Sequence, residues 1–273
     1  MLFVPGDRPE RMTKALNLGA DALILDLEDS VAPAVKDRAR AEVAAFLSQP
    51  HPGVARWVRI NPLDSGMTAD DLAASHGADG IVLPKSRSGE DVARLDAMLS
   101  GVSARILPIA SETPAAVFGL GSYAGCSPRL AGITWGAEDL PAAIGASSSR
   151  EEDGSYTPPY EMIRALTLFG AHAAGVAAIE TVYPDFRDLA GLERYCNRAM
   201  RDGFTGMMAI HPTQLEVINR AFTPSTTAID HARRVVEAFA ANPSAGALQL
   251  DGTMIDAPHL KQAKALLSRA GVA

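Results

Sequence analysis

Charged or polar side chains follow directly after several short aliphatic runs in this sequence of 273 residues. Carboxylates that gather in one place repel one another unless a cation or an arginine neutralises them. Because the set offers hard oxygen ligands and no cysteine, Mg²⁺ or Mn²⁺ fits it better than zinc does. The pattern therefore predicts a divalent-metal site. The residues in these positions are Arg8, Asp26, Glu28, Asp29, Arg59, Asn61, Lys85, Glu112, Glu138, Asp139 and His211.

Glu112 and Asp139 are the predicted metal ligands, because each follows an aliphatic run and precedes a small or turn-like segment. Magnesium commonly takes only one or two protein carboxylates and leaves its other positions to water and substrate. Arg59 offers parallel N–H donors that suit a substrate carboxylate. A metal and an arginine together would hold a 2-oxo acid and stabilise the enolate formed when a neighbouring C–C bond breaks.

The aliphatic runs themselves are predicted strands. They are continuous rather than alternating, which is typical of parallel strands buried on both faces. Helical patterns separate them, and the turn PGDRP at residues 5–9 lacks the glycine fingerprint of a dinucleotide-binding sheet. We therefore predict an α/β fold, a (β/α)8 TIM barrel whose active site lies at the C-terminal ends of the strands. The predicted strands are residues 2–4, 22–27, 56–60, 80–83, 105–109, 132–135, 177–181 and 206–210.

The chain changes character after about residue 222. A helical segment at 229–240 leads into an irregular stretch, then the segment DGTMID at 251–256 and a last helix that reaches Arg269. We expect two parts: residues 1–222 as the TIM-barrel catalytic domain, and residues 223–273 as a C-terminal extension for covering the active site and for oligomerisation.

The composition argues against several other classes of protein. The net charge is −7 and no basic run is present, so nucleic acid and membrane surfaces are poor partners. No uninterrupted apolar stretch reaches the roughly 18 residues of a membrane span. The two cysteines, Cys126 and Cys196, form no CxxC pair. We expect a cytoplasmic protein with reduced thiols.

Single members of the set have simpler explanations. Any one acid at a strand end can cap the following helix. Arg8 can pair with Glu10 or Asp29, and Lys36 lies in a charged segment that is typical of a solvated helix face. His211 is as compatible with a packed turn as with a proton carrier. The prediction of a site depends on the whole set converging at one end of one fold.

Eight segments of the sequence resemble the citrate lyase β-subunit family, in order and over essentially the whole chain. The wider group, the HpcH/HpaI aldolases, includes malyl-CoA and citramalyl-CoA lyases. The segments are LFVPGDRPER at 2–11, ILDLEDSV at 24–31, VRIN at 58–61, VLPK at 82–85, SETP at 111–114, WGAEDL at 135–140, AIHPTQ at 209–214 and GTMIDAP at 252–258.

The resemblance implies roles for individual residues. Glu112 and Asp139 would ligate Mg²⁺, and Arg59 would hold the substrate carboxylate. Asp256 would lie on a C-terminal lid and serve as an acid/base from a neighbouring subunit, in a trimer or hexamer.

The same resemblance implies supporting roles around the metal. Glu28 and Asp29 would lie beside the metal's waters and the arginine. As part of the mechanism that we expect, and not of the resemblance, backbone N–H groups near Gly136 and Ala137 would add substrate contacts. We expect a magnesium-dependent lyase that cleaves or forms a carboxylated 3-hydroxyacyl-CoA, with an acyl-CoA and a small 2-oxo acid as partners. The CoA phosphates should lie near basic residues, for which we name Lys14, Lys85 and Arg87 on charge alone, because no motif marks them.

Three alternatives stay open. The chain could be a citrate lyase β-subunit that acts on a thioester carried by a carrier protein. It could be a metal-dependent pyruvate aldolase that needs no CoA, although such an enzyme would not need the segment around Asp256. It could also be a catalytically silent barrel that binds an acyl-CoA or a protein partner.

Overall fold

Eight parallel strands form the larger part of the computed structural model, which describes residues 1–50 and 53–272. Seven of the eight predicted strands are present with small shifts at their ends. The eighth is shorter than predicted, because the backbone N–H groups of Ile210 and His211 turn to the side chain of Gln214. The strands are β1 Leu2–Pro5, β2 Ala22–Asp26, β3 Ala55–Arg59, β4 Gly80–Leu83, β5 Arg105–Pro108, β6 Gly132–Thr134, β7 Ala177–Glu180 and β8 Gly206–Met207.

These strands close into a barrel. Strands β1 to β5 pair in sequence order in one sheet, and β6 to β8 pair in a second sheet. The amide of Ala110 donates to the carbonyl of Thr134 at 2.9 Å, which joins β5 to β6. The amide of Phe3 donates to the carbonyl of Ala209 at 2.9 Å, which joins β1 to the end of β8. The predicted (β/α)8 TIM barrel is confirmed.

Helices follow the strands and the barrel interior is filled by aliphatic side chains. Ile24, Val82, Leu107, Ile109 and Met208 form one buried cluster inside the ring of strands. Branched aliphatics of this kind are the usual filling of an eight-stranded barrel. The helices of this part are α1 Pro9–Ala15, α2 Lys36–Leu47, α3 Thr68–Ala74, α4 Gly89–Met98, α5 Pro114–Gly119, α6 Asp139–Ile144, α7 Pro158–Ala173, α8 Leu189–Asp202 and α9 Leu215–Phe222.

The chain divides into two compact units, Met1–Ile218 and Asn219–Ala273. The smaller unit contains helix α10 Thr226–Ala241, strands β9 Ala247–Leu250 and β10 Thr253–Asp256, and helix α11 Ala257–Arg269. Its own core is made by α10, α11 and the buried Ile255.

The antiparallel hairpin of β9 and β10 replaces the irregular stretch that the sequence predicted. Asp251 and Gly252 connect the two strands with φ angles of 51° and 79°. An Asp-Gly pair with positive φ at both positions is a favoured two-residue hairpin turn. The strands are short and mostly exposed, so their hydrophobic pattern is weak. The Asp-Gly turn is the stronger indication of a hairpin in this part of the sequence.

Across the described residues, the structure contains no helix long and apolar enough to cross a membrane.

Candidate active site

The C-terminal ends of β2 and β3 bring Asp26 and Arg59 together. The two residues are partners in the strand register. The Arg59 Nε and one Nη donate to the two carboxylate oxygens of Asp26, both at 2.7 Å. Burial alone would raise the pKa of Asp26, but the bonds from Arg59 lower it overall. Asp26 therefore fixes the plane of the guanidinium, and its role is to position Arg59.

The turn after β2 carries Glu28 and Asp29 towards the same guanidinium. The second Nη of Arg59 lies 3.2 Å from Glu28 Oε2 and 3.9 Å from Asp29 Oδ2. Asp26 Oδ1 also accepts the amide of Glu28 at 2.9 Å, which holds the turn against the strand end. Burial raises the pKa of Glu28 even though Arg59 and Lys85 act against that shift.

Lys36 is buried beneath this turn, so its interpretation as part of a solvated helix face is wrong. Its ammonium donates to the carbonyls of Leu27 at 2.7 Å and Glu28 at 2.9 Å. The buried ammonium is thereby satisfied by the backbone of the segment that carries the site acids. The sequence offered no signal for this, because a charged helix start is also what an exposed helix shows.

Lys85, just after β4, lies among the acids. Its Nζ is 2.6 Å from Glu28 Oε1, 3.9 Å from Asp29 Oδ2 and 3.7 Å from Asp139 Oδ1. Its backbone N–H donates to Glu112 Oε2 at 2.5 Å. Both the ammonium and the backbone N–H of Lys85 therefore contact carboxylates. Arg87, the other expected phosphate contact of this strand, pairs with Asp64 and Asp91 at 3.1 and 3.0 Å.

Glu112, after β5, is almost fully buried, with 4% of its surface exposed. Burial, together with the neighbouring charges of Glu28 and Asp139, raises its pKa to about 8. Asp139 begins α6 and remains partly exposed, with 39% of its side chain accessible. A cation at Glu112 would keep that carboxylate ionised at neutral pH.

The donor set fits Mg²⁺. Within the described residues, no three acid, histidine or cysteine side chains converge closely enough to hold a metal by themselves. Magnesium does not require such a cage, because it keeps several waters and takes one or two carboxylates. Glu28 Oε2 is buried without a hydrogen-bond partner, although it lies 3.2 Å from Arg59. A water or a substrate oxygen beside the metal would satisfy that atom.

Gly136 provides the space that Glu112 occupies. A Cβ atom at position 136 would lie 2.8 Å from Glu112 Cγ. The Gly136 amide, which the sequence analysis expects to contact substrate, donates to Ser111 Oγ at 3.2 Å. Ala137 is buried beside it. Because residue 136 has no side chain, it leaves room for Glu112 in the site.

We expect Gly136→Ala to displace Glu112 and to weaken divalent-metal affinity by about 10- to 100-fold, the usual cost of disturbing the groups that orient a ligand. Isothermal titration with Mn²⁺ measures this directly. Gly121→Ala is the control, since its added Cβ meets no atom within 4 Å. Equal affinities in the two variants would contradict the steric role of Gly136.

Glu180, at the end of β7, is a buried acid that the sequence analysis did not include among the candidate site residues. It accepts hydrogen bonds from Trp135 Nε1 at 2.5 Å and from Arg164 Nε at 2.7 Å. Because Trp135 directly precedes Gly136, this bond anchors the backbone that faces Glu112. The sequence contained a signal for Glu180, because this residue ends an aliphatic run and Glu112 lies just after one.

Asp256 and Arg8 complete the set of residues named from the sequence. Asp256 ends β10 in the smaller unit and caps α11, with its Oδ1 2.6 Å from His259 Nδ1. Arg8 lies 3.6 Å from Asp7 and is largely exposed, so its ion-pair partner is Asp7 and not the Glu10 or Asp29 that the sequence offered as alternatives.

Comparisons with known proteins agree with this arrangement of strands. The family model described as HpcH/HpaI aldolase/citrate lyase matches residues 1–212. A citrate lyase subunit beta-like protein of Mycobacterium tuberculosis is 38% identical, over 100% of this chain and 95% of the relative. A (3S)-malyl-CoA thioesterase of Cereibacter sphaeroides is 33% identical, over 99% of this chain and 93% of the relative.

A solved structure is also similar. The M. tuberculosis CitE protein in complex with magnesium, acetoacetate and coenzyme A superposes with a TM-score of 0.83 and 36% identity. The match covers 99% of this chain and 97% of that one. This chain belongs to the HpcH/HpaI aldolase/citrate lyase family.

Proposed function

We propose that this protein is a magnesium-dependent carbon–carbon lyase. Its substrate would be a 3-hydroxyacyl-CoA that carries a free carboxylate, such as malyl-CoA or citramalyl-CoA, and its products an acyl-CoA and a 2-oxo acid. The observation that carries the proposal is the convergence of Glu112, Asp139 and Arg59 at one end of the barrel. The CitE structure with magnesium, acetoacetate and coenzyme A supports this ligand chemistry.

Glu112 and Asp139 would hold the metal, and Glu28 and Asp29 would accept hydrogen bonds from its waters. When bound, Mg²⁺ supplies positive charge that stabilises negative charge developing on a substrate oxygen. Arg59, fixed by Asp26, keeps N–H donors for the substrate carboxylate and sets the orientation of the 2-oxo acid.

Lys14 is retained as a contact for the CoA phosphates. It lines a cavity of about 420 Å³ that β1, α1 and the segment from Ile210 to Pro212 enclose. Arg11 also lines this cavity, so two bases lie where a polyanion would need them. Lys85 is better explained as part of the acid cluster, given its contacts with Glu28 and Glu112.

Asp256 would move the proton. In the cleavage direction it accepts the proton of the 3-hydroxyl group as the bond between C2 and C3 breaks. The hydroxyl carbon becomes the carbonyl of the 2-oxo acid, and the electron pair forms the enolate of the acyl-CoA. Asp256 then returns the proton to C2, which completes the acyl-CoA. In the reverse direction it removes the α-proton of the acyl-CoA.

A homo-oligomer, either a trimer or a hexamer, is part of the proposal, because Asp256 would act in a neighbouring subunit. Helix α7 presents Met162, Leu166 and Phe169 on one exposed face, opposite its buried residues. Phe118 on α5 is 92% exposed, and the turn that follows α5 packs against α7. Large exposed apolar side chains grouped on neighbouring elements are typical of a contact surface, and we assign this one to a second copy of the chain.

We expect Phe169→Glu to convert the oligomer to monomers, because it places a charge in the centre of an apolar contact. Light scattering coupled to size-exclusion chromatography measures the mass. Met98→Glu is the control, since Met98 is an exposed apolar residue at the end of α4 outside this surface. An unchanged mass for Phe169→Glu would show that this face of α7 is not the contact.

A panel of thioesters tests the function and names the substrate. The purified protein is incubated with Mg²⁺ and malyl-, citramalyl-, citryl- or 3-hydroxy-3-methylglutaryl-CoA, and the released oxo acid is measured. This product is a 2-oxo acid from the first three esters and a 3-oxo acid from the last. Cleavage of one free CoA ester supports the proposal. Cleavage only of a thioester bound to a carrier protein would favour a citrate lyase β-subunit. Cleavage only of hydroxy-oxo acids without CoA would favour a pyruvate aldolase.

A further inference from the structure

Lys85 contacts four of the carboxylates at the barrel mouth through two different groups. Its ammonium lies near Glu28, Asp29 and Asp139, and its backbone N–H binds Glu112. The lyase mechanism above gives this residue no role. Lys85 nevertheless contacts both proposed metal ligands, Asp139 and Glu112, so it must affect how the site binds a cation.

The backbone of Lys85 has an unusual conformation. Its φ angle is 51°, and Asp251 is the one other described non-glycine residue with a positive φ. L-residues rarely adopt this left-handed region, and such residues occur most often at functional sites. Here the conformation turns the amide towards Glu112 Oε2, at 2.5 Å, while the side chain extends to Glu28 Oε1, at 2.6 Å.

The distribution of positive charge also sets Lys85 apart. Arg59 neutralises Asp26 and Glu28 on one side of the cluster. Among the described residues, Lys85 is the one basic side chain that lies within 4.0 Å of Asp139. A divalent cation bound by Asp139 and Glu112 would therefore have the Lys85 ammonium as a close positive neighbour. Two cations that share one carboxylate repel each other.

We propose that Lys85 is a tethered counter-cation that competes with the divalent metal for Asp139, while its backbone N–H positions Glu112. The inference rests on the metal site proposed above. Lys85 is thus a positioning residue that sets how tightly the metal binds. The ammonium can withdraw from Asp139 and keep its shorter contact with Glu28, so metal and lysine can be accommodated together.

The direction of the effect separates this role from a merely structural one. If Lys85 only supported the fold of the site, its replacement would disorder Glu28 and Glu112 and weaken metal binding. If Lys85 is a competing cation, its replacement by a neutral residue removes repulsion, and the metal binds more tightly. A gain in affinity is the result that structural damage does not produce.

The test is Mn²⁺ binding, measured without substrate by isothermal titration and by electron paramagnetic resonance of free Mn²⁺ at mildly alkaline pH. We expect Lys85→Met to bind Mn²⁺ about tenfold more tightly than the parent protein, through the loss of a neighbouring positive charge. Lys85→Gly should show the same gain, because glycine accepts the left-handed backbone and keeps the N–H. Arg201→Met, which removes one positive charge from a largely exposed side chain on α8, should bind as the parent does.

The outcomes distinguish this inference from the metal site on which it rests. Affinity that is unchanged or weaker in both Lys85 variants, with normal binding by the parent, overturns the counter-cation role and leaves the metal site standing. Binding that survives in Glu112→Gln at the parent's strength overturns the metal site and this inference together. An equal gain in Arg201→Met would reduce the effect to net charge and would also overturn the assignment.

Discussion

Glu112→Gln is expected to abolish tight Mg²⁺ binding and to reduce cleavage by about 10³-fold or more, since it removes the ionised oxygen that holds the principal electrostatic group of the reaction. The amide has nearly the same shape as the carboxylate, so the fold should be retained. Metal affinity is measured by titration calorimetry and cleavage by the release of 2-oxo acid.

The stability of the same variant provides an independent check. The pKa of Glu112 is raised from 4.5 to about 8, chiefly by burial. A carboxyl group whose pKa is higher in the folded state holds its proton more tightly when folded, so it contributes stability that is lost as pH rises from 4.5 towards 8. With EDTA present, the parent should therefore lose thermal stability over this range, and Glu112→Gln should lose less. Identical pH dependence in the two proteins would contradict the buried position of this carboxyl group.

Asp256→Asn is expected to reduce turnover by about 10²- to 10⁴-fold, the usual contribution of a positioned acid/base. Asparagine is chosen because it also caps helices well, so it should preserve the start of α11 that Asp256 caps. Mn²⁺ affinity should not change, because Asp256 is not a proposed ligand. Near-normal turnover in this variant would remove Asp256 from the mechanism.

Mixing the two inactive variants tests whether Asp256 acts across a subunit boundary. Subunits carrying Glu112→Gln have an intact Asp256, and subunits carrying Asp256→Asn have an intact metal site. If each active site uses Asp256 of a neighbour, co-expressed oligomers of both variants should recover part of the parent activity. If Asp256 serves its own chain, every site in the mixture lacks one essential group and the activity stays absent.

The barrel and the location of the candidate site were predictable because both follow from short-range patterns. Continuous aliphatic runs mark parallel strands, and a parallel barrel gathers the residues that follow them at one end. Asp26 and Arg59, separated by 33 positions in the chain, meet because β2 and β3 pair in register. The sequence predicts where β2 and β3 end, but the pairing of Asp26 with Arg59 depends on the register of the two strands in the sheet.

The roles of the two lysines could not be predicted in the same way. Lys36 is buried because its ammonium finds the carbonyls of Leu27 and Glu28, a contact that depends on how α2 packs beneath the β2 turn. Lys85 depends on a left-handed backbone at a residue type that rarely adopts it. Neither a helix with charged residues nor a lysine after a strand carries that information, because tertiary contacts decide both conformations.

The most direct test of the proposed lyase is one comparison with citramalyl-CoA or malyl-CoA as substrate. Purified protein is treated with EDTA, and the release of 2-oxo acid is measured before and after excess Mg²⁺ is restored. We expect no release in EDTA and full recovery with Mg²⁺, with equal amounts of acyl-CoA and 2-oxo acid formed. Cleavage at the same rate in EDTA, or release of free CoA without a 2-oxo acid, would contradict it.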